Sequence, residues 1–239
     1  MDRVAPTRRP EGENAGLQKW RDLLFLHWPV PVEALRPLVP ARLGLDLWEG
    51  QAWIGVVPFA MFEVAPRWLP HAMAFDFLET NVRTYVHLDG ENPGVYFLSL
   101  EAASWLAVQA ARAGWGLPYH HAAMTMEKNG AEVVYETVRR SAPNPRLMVR
   151  YTVGDYVGPS APDTREHFFL ERYLLYSEHH GQLQRGQVHH VPYPAHRAAL
   201  HEVEDELIGA LGLPQPTGAP TYVDFAPGVD VELFALRPV

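Results

Sequence analysis

The chain has 239 residues, of which 47% are hydrophobic, 11% aromatic and 20% charged, with a formal charge of -8 and no cysteine. That apolar fraction can build a core, which excludes a disordered tail or a fibrous repeat, and the lack of cysteine excludes disulfides, thiolate nucleophiles and sulfur-ligated metal sites. The negative charge argues against nucleic acid as a partner, because phosphate contacts need a basic face.

The opening MDRVAPTRRPEGEN is charged and proline-bearing, without the apolar stretch of an export signal. It reads as a flexible N-terminal arm over 1–16, ahead of one domain over 17–239 with no linker or internal repeat. No stretch approaches the roughly 18 apolar residues that cross a bilayer, so no membrane is expected as a partner and the cytoplasm is the expected location.

LLFLHW (23–28) is a strand-length apolar run, followed by PVEALRPLVP, a short helix bracketed by Pro31 and Pro40. LGLDLW and QAWIGVVPFAMF flank Glu49-Gly50, and FLETNVRTYVHL and VYFLSL flank DGENPG, both hairpin-like connections. EAASWLAVQAARAG predicts a helix ending at Gly114. AAMTMEKNGAEVVYETVRR predicts two strands about Asn129-Gly130 with a type I′ turn, and LMVRYTVG continues the series. FFLERYLLYSEHHGQLQRGQVHHVPY reads as two more strands and VDVELFAL as a last one; HRAALHEVEDELIGALG fits either a helix or a strand followed by a short helix. About ten strands with a few short helices imply a mainly β (α+β) fold, a large and predominantly antiparallel curved sheet closing into a barrel or cone, since an open sheet of that size must curl or split.

In FLETNVRTYV a period of two places Glu79, Asn81, Arg83 and Tyr85 on one face. Such a strand either turns its polar face to water or lines a polar cavity inside a curved sheet; in the second case Glu79 and Arg83 are expected to pair. On the predicted helix, Glu101, Trp105, Val108 and Arg112 share a face, which is either a solvated helix surface or one from which Arg112 grips a carboxylate of the protein or of a ligand. Tyr119 offers a hydroxyl that needs a partner if buried. Seven of the 12 histidines fall between His167 and His201, but adjacent pairs on a strand point to opposite faces and no HExxH motif occurs. GxSxG, P-loop and GxGxxG motifs are also missing.

Taken in order, HWPVPVEALRPLVPARLGLDLWEGQAWIGVVPFAM, FLETNVRTYV, GVYFLSLEA, AARAGWGLPY, FFLERYLLY and GVDVELF resemble the YqjF-like family of uncharacterised conserved bacterial proteins, over nearly the whole chain after residue 17. Its grouping with acetoacetate decarboxylase implies a cone or barrel around an internal pocket. In the decarboxylases an arginine opens a strand leading into a short helix, and RDLLFLHWPVPVEALRPLVP is similar, which makes Arg21 a pocket candidate. Their catalytic centre is a pair of adjacent lysines past a glutamate, the first forming a Schiff base. Here the resemblance matches the glutamate with Glu101, but the lysines with about Ala107 and Val108, and a further pocket glutamate with about Val57. The only lysines in the chain are Lys19 in the arm-proximal segment and Lys128 beside a turn, so Schiff-base decarboxylation is expected to be absent.

The expected function is therefore binding of a small oxygen-rich, carboxylate-bearing molecule in an enclosed polar pocket. Arg21, Arg83 and Arg112 fix the anion, Asn81, Tyr85 and Tyr119 orient the ligand, and Glu79 or Glu101 is the acid or base. No cofactor and no metal is expected. The alternatives are a non-catalytic structural or interaction homo-oligomer, and a metal-dependent enzyme using the His167–His201 region.

Overall fold

The computed structural model describes residues 1–109, 116–179 and 181–239. The elements are β1 (Gly16–Val30), α1 (Val32–Leu35), β2 (Leu43–Leu45), β3 (Ala52–Pro66), β4 (Phe75–Leu88), β5 (Glu91–Ala102) and α2 (105–109). They continue with β6 (Tyr119–Asn129), β7 (Glu132–Arg139), β8 (Arg146–Gly158), α3 (Arg165–Leu170), β9 (Leu174–His179), β10 (Gln182–His189), β11 (Ala195–Asp205) and β12 (Tyr222–Pro238).

All strands belong to one 12-stranded sheet, ordered β10-β9-β5-β6-β7-β8-β11-β12-β1-β3-β4-β2, with additional pairings β10–β12 and β5–β4. Most pairings are antiparallel; β5 pairs parallel with β6 through Leu100–Ala102 and with β9 through Gly94–Tyr96. The edges of β5 and β12 thus fork. One branch, β9 and β10, closes over one face of the shared strands β12-β1-β3-β4-β5, and the other, β6, β7, β8 and β11, closes over the opposite face. The result is two rings of strands sharing a wall rather than a single clean barrel.

Because the shared wall is buried on both sides, its strands β1 and β3 read as continuous apolar runs instead of alternating ones. Leu23 and Phe25 of β1 and Val57, Phe59 and Met61 of β3 face a first core with Phe168 and Phe169 of α3 and Tyr173, Leu175 and Val188 of the β9–β10 branch. Their neighbours Leu24, Leu26, Ile54 and Val56 face a second core with Tyr135, Leu147, Val149 and Tyr151. The large, predominantly antiparallel curved sheet expected from the sequence is what forms.

Local differences have local causes. The helix expected from Glu101 starts later: Glu101 and Ala102 pair with β4 and β6, and Ser104 supplies the cap, its Oγ accepting from the Ala107 N–H at 3.3 Å. The FFLER segment opens as α3, not a strand, because Thr164 caps it through its side chain on the His167 N–H. The reversal at Asn129-Gly130 is made by Gly130 and Ala131; only Gly130 has positive φ, +62°, so it lacks the paired positive φ of type I′. Glu49-Gly50 does have both, at +51° and +76°. The ambiguous HRAALHEVEDELIGALG resolves as β11 and then a 3-10 turn at Gly209–Leu211.

The residues before β1 lie against the sheet: Arg9 pairs with Glu232, Gln187 donates to the Pro6 carbonyl at 2.9 Å, and Arg3 reaches the buried Asp46. Among the described residues no helix is long and apolar enough to cross a membrane.

Candidate functional site

Glu79, Asn81, Arg83 and Tyr85 lie along the face of β4 that looks into the first core, at 4%, 5%, 8% and 1% exposure. The pleat puts them there, since their cross-strand partners on β3 include Phe59 opposite Glu79 and Val57 opposite Asn81. Val57, where the family resemblance implies a glutamate, is buried and apolar.

Glu79 receives the Tyr119 hydroxyl on Oε2 at 2.7 Å. Burial pushes its carboxyl up to about 8, with Glu101 adding and the Tyr119 bond opposing. At neutral pH this carboxyl is mostly protonated, the state in which it can give a proton to a ligand. Burial likewise holds the Tyr119 hydroxyl well above its ordinary range, with Glu79 reinforcing it. From the opposite core, Tyr135 donates to the main-chain carbonyl of Glu79 at 2.9 Å and fixes the strand beneath it.

Arg83 does not pair with Glu79. Four residues along a strand span about 13 Å, and the register shifts between Val82 and Arg83 against β5. Arg83 instead turns toward α3, where Nη2 donates to the Phe169 carbonyl at 3.0 Å, with its guanidinium 5.5 Å from the Phe25 ring. No carboxylate among the described residues forms an ion pair with it, and its Nε is buried without a partner. Oδ1 of Asn81 is also buried and unpartnered. Tyr85 closes the inner end, its hydroxyl 2.6 Å from Nε2 of the fully buried His27 and 3.3 Å from the Phe169 carbonyl. Burial, reinforced by Arg83 and Arg165, holds the His27 pKa well below its usual range, so this imidazole is neutral.

The remaining candidates lie elsewhere. Glu101 is fully buried beside Thr80 on the face of the second core, where it accepts from Arg139 Nε at 3.0 Å and Ser99 Oγ at 3.0 Å. Arg21 is a third exposed at its side chain and binds the Val229 carbonyl at 2.7 Å and Asp230 at 2.5 Å. Arg112 lies outside the described residues. Neither lysine is free: Lys19 pairs with Glu63 at 2.5 Å and Lys128 with Asp22 at 2.6 Å. Val108, matched to a catalytic lysine by resemblance, is 1% exposed. The late histidines are dispersed, His167 on α3, His179 on β9, His189 on β10, His190 just past it and His196 and His201 on β11, with His180 outside the described residues; His201 meets Thr152 and His196 meets the Gly154 carbonyl. No group of three or more His, Cys, Asp or Glu side chains among the described residues could hold a metal ion.

Several residues of this region were not legible in the sequence as site residues. His190 and Tyr193 pack on each other with ring centroids 4.6 Å apart, and Tyr193 packs on Phe25 at 5.5 Å. The His189-His190 doublet is the available signal: neighbours that face apart cannot share a metal ion, but one of the two can turn inward, here His190.

A family model described as "Uncharacterized conserved protein" matches residues 17–230. The chain is 36% identical over 229 residues to "Uncharacterized protein YqjF" of Bacillus subtilis (strain 168), covering 95% of this chain and 94% of that protein. Among solved structures, the enduracididine biosynthesis enzyme MppR complexed with pyruvate is similar at a TM-score of 0.64 and 11% identity, covering 97% of this chain and 93% of that one. An acetoacetate decarboxylase from Legionella pneumophila subsp. pneumophila str. Philadelphia 1 is similar at 0.62 and 13%, covering 97% and 91%. At these identities the two structures establish a shared fold, the acetoacetate decarboxylase-like fold, and nothing about chemistry.

Proposed function

This chain belongs to that family of uncharacterized conserved proteins, and we propose that it is a cytosolic protein binding a small carboxylate-bearing molecule on the inward face of β4. In this reading Arg83 holds the anion, Asn81 and Tyr119 orient the ligand, and Glu79 is the group that gives or takes a proton. The observation that carries it is Arg83: a guanidinium 8% exposed with no acidic partner among the described residues. An uncompensated buried charge costs several kcal/mol, and a ligand carboxylate in two-pronged contact removes that cost. MppR, a protein of the same fold, holds a small carboxylate of this kind in its complex with pyruvate. The lack of cysteine suits a reducing cytosol.

The test is a thermal-shift screen of keto acids, lactones and sugar acids against the wild type and Arg83→Leu. The variant is expected to fold, since it removes an unpaired charge, and to lose all ligand-dependent stabilisation. A stabilisation that survives in Arg83→Leu sinks the reading.

Any chemistry at this site proceeds without a Schiff base, because both lysines are held in solvent-accessible ion pairs. Incubation with acetoacetate and borohydride is expected to leave the protein mass unchanged, and a stable adduct by mass spectrometry would contradict this.

A second reading, a non-catalytic interaction protein, is favoured by Trp68, Trp105 and Leu106, which are 81%, 57% and 59% exposed. It makes Arg83 a structural member of the core, so that Arg83→Leu fails to fold at all.

A further inference from the structure

His190 stands just beyond β10 at 3% exposure, and the reading above leaves it without a role. Its Nδ1 is 2.7 Å from the Val191 carbonyl. A carbonyl only accepts, so Nδ1 carries the proton and Nε2 presents a bare lone pair. That atom is buried and has no partner. Two of the rings packed on the imidazole commit their donors elsewhere. Trp20, 5.9 Å away between centroids, gives its N–H to Gln18 at 2.7 Å, and Tyr173, stacked at 4.4 Å, gives its hydroxyl to Glu171 at 2.6 Å. Burial keeps the imidazole neutral, with its pKa down at about 4, so Nε2 is an acceptor across the physiological range.

This acceptor belongs to the same interior as Arg83. His190 packs on Tyr193, Tyr193 packs on Phe25, and Phe25 is the ring beneath the Arg83 guanidinium. Asn81, two residues before Arg83 on the same face of β4, contributes a second buried acceptor without a donor. The interior therefore presents one unpaired cation and two bare acceptors. Buried acceptors without donors are costly, and a bound ligand is one way a native site satisfies them.

We infer that the molecule taken up by this site is a small hydroxy acid, its carboxylate on Arg83 and its hydroxyl hydrogen given to Nε2 of His190, with Asn81 Oδ1 receiving a second hydroxyl where the ligand has one. The inference rests on the pocket reading of β4 given above. It separates this site from one for keto acids, whose oxygens only accept and would leave both acceptors bare. A site built to satisfy a ligand hydroxyl rejects the analogue lacking it, because its own buried groups are then left unpaired.

The experiment is isothermal titration of the full chain with two matched pairs, lactate against pyruvate and 3-hydroxybutyrate against acetoacetate. The hydroxy acid is expected to bind at least about tenfold more tightly than its keto partner, the scale of one bare buried acceptor. His190→Phe is expected to bring that ratio to about one while leaving keto-acid affinity unchanged. Equal or tighter binding of the keto acids overturns the hydroxy-acid inference and leaves the Arg83 reading standing. A preference that persists in His190→Phe overturns the role of His190. Should that variant fail to fold, the wild-type ratio decides alone, and an absence of binding by all four acids and by gluconate overturns the pocket reading and this inference together.

Discussion

Replacing Arg139 by leucine is expected to lower the unfolding free energy by about 3–5 kcal/mol, because it leaves a buried carboxylate without its partner. Glu101 is fully buried, and Arg139, at the end of β7, is 7% exposed. The guanidinium grips Oε1 through both Nε and Nη2, while Ser99 supplies a further hydrogen bond. Burial holds the Glu101 pKa above its ordinary value in spite of Arg139, which pulls it down. Without the arginine the carboxyl takes up a proton instead of remaining charged, so the loss is expected to be smallest in acid and to grow as pH rises. Urea unfolding at pH 5 and pH 8 measures it. The double variant Glu101→Leu/Arg139→Leu is expected to recover most of the lost stability, since removing both partners of a buried pair is often nearly neutral. A single variant losing less than about 1 kcal/mol would show that this pair contributes no more than a surface salt bridge.

That pair also shows where sequence reading stops. The alternation of FLETNVRTYV was enough to put Glu79, Asn81, Arg83 and Tyr85 on one face, because a strand's period is local. The apolar run LLFLHW is legible as a strand by its length alone, but not as part of a wall covered on both faces. Partners are not local: Glu79 is satisfied by Tyr119 and Glu101 by Arg139, each from a strand near 40 residues away. The sequence puts Glu101 on a helix because EAASWLA is alanine-rich, whereas the two-sided pairing of β5 and the Ser104 cap decide where the helix begins. The two carboxylates therefore came apart onto opposite faces of one wall, Glu79 facing the core of the proposed site and Glu101 locked into a structural pair. His190 is hidden for a related reason, since its meaning depends on rings supplied by β1, the residue before β9 and the segment after β10.

The remaining expected result concerns Glu79 and fixes its own sign. The folded carboxyl holds its proton up to about pH 8, against an ordinary value of 4.5. Below 4.5 the group is protonated in both folded and unfolded chains and contributes no pH dependence. Between 4.5 and about 8 the unfolded chain has released the proton that the folded chain retains, so stability falls as pH rises, at up to about 1.4 kcal/mol per pH unit. Above about 8 both states are ionised and the decline from this group ends. Glutamine at position 79 mimics the neutral carboxyl, so Glu79→Gln is expected to overtake the wild type in stability progressively across that window. Glu101, Glu171, Asp205 and Asp224 are also raised by burial and tilt both proteins the same way, which makes the difference between the two curves the quantity to follow. Urea midpoints at pH 5, 6, 7 and 8 supply it. Parallel curves for the two proteins would mean that Glu79 titrates as an ordinary carboxylate, which would remove it as the proposed proton donor, because a group already ionised at neutral pH has no proton to give.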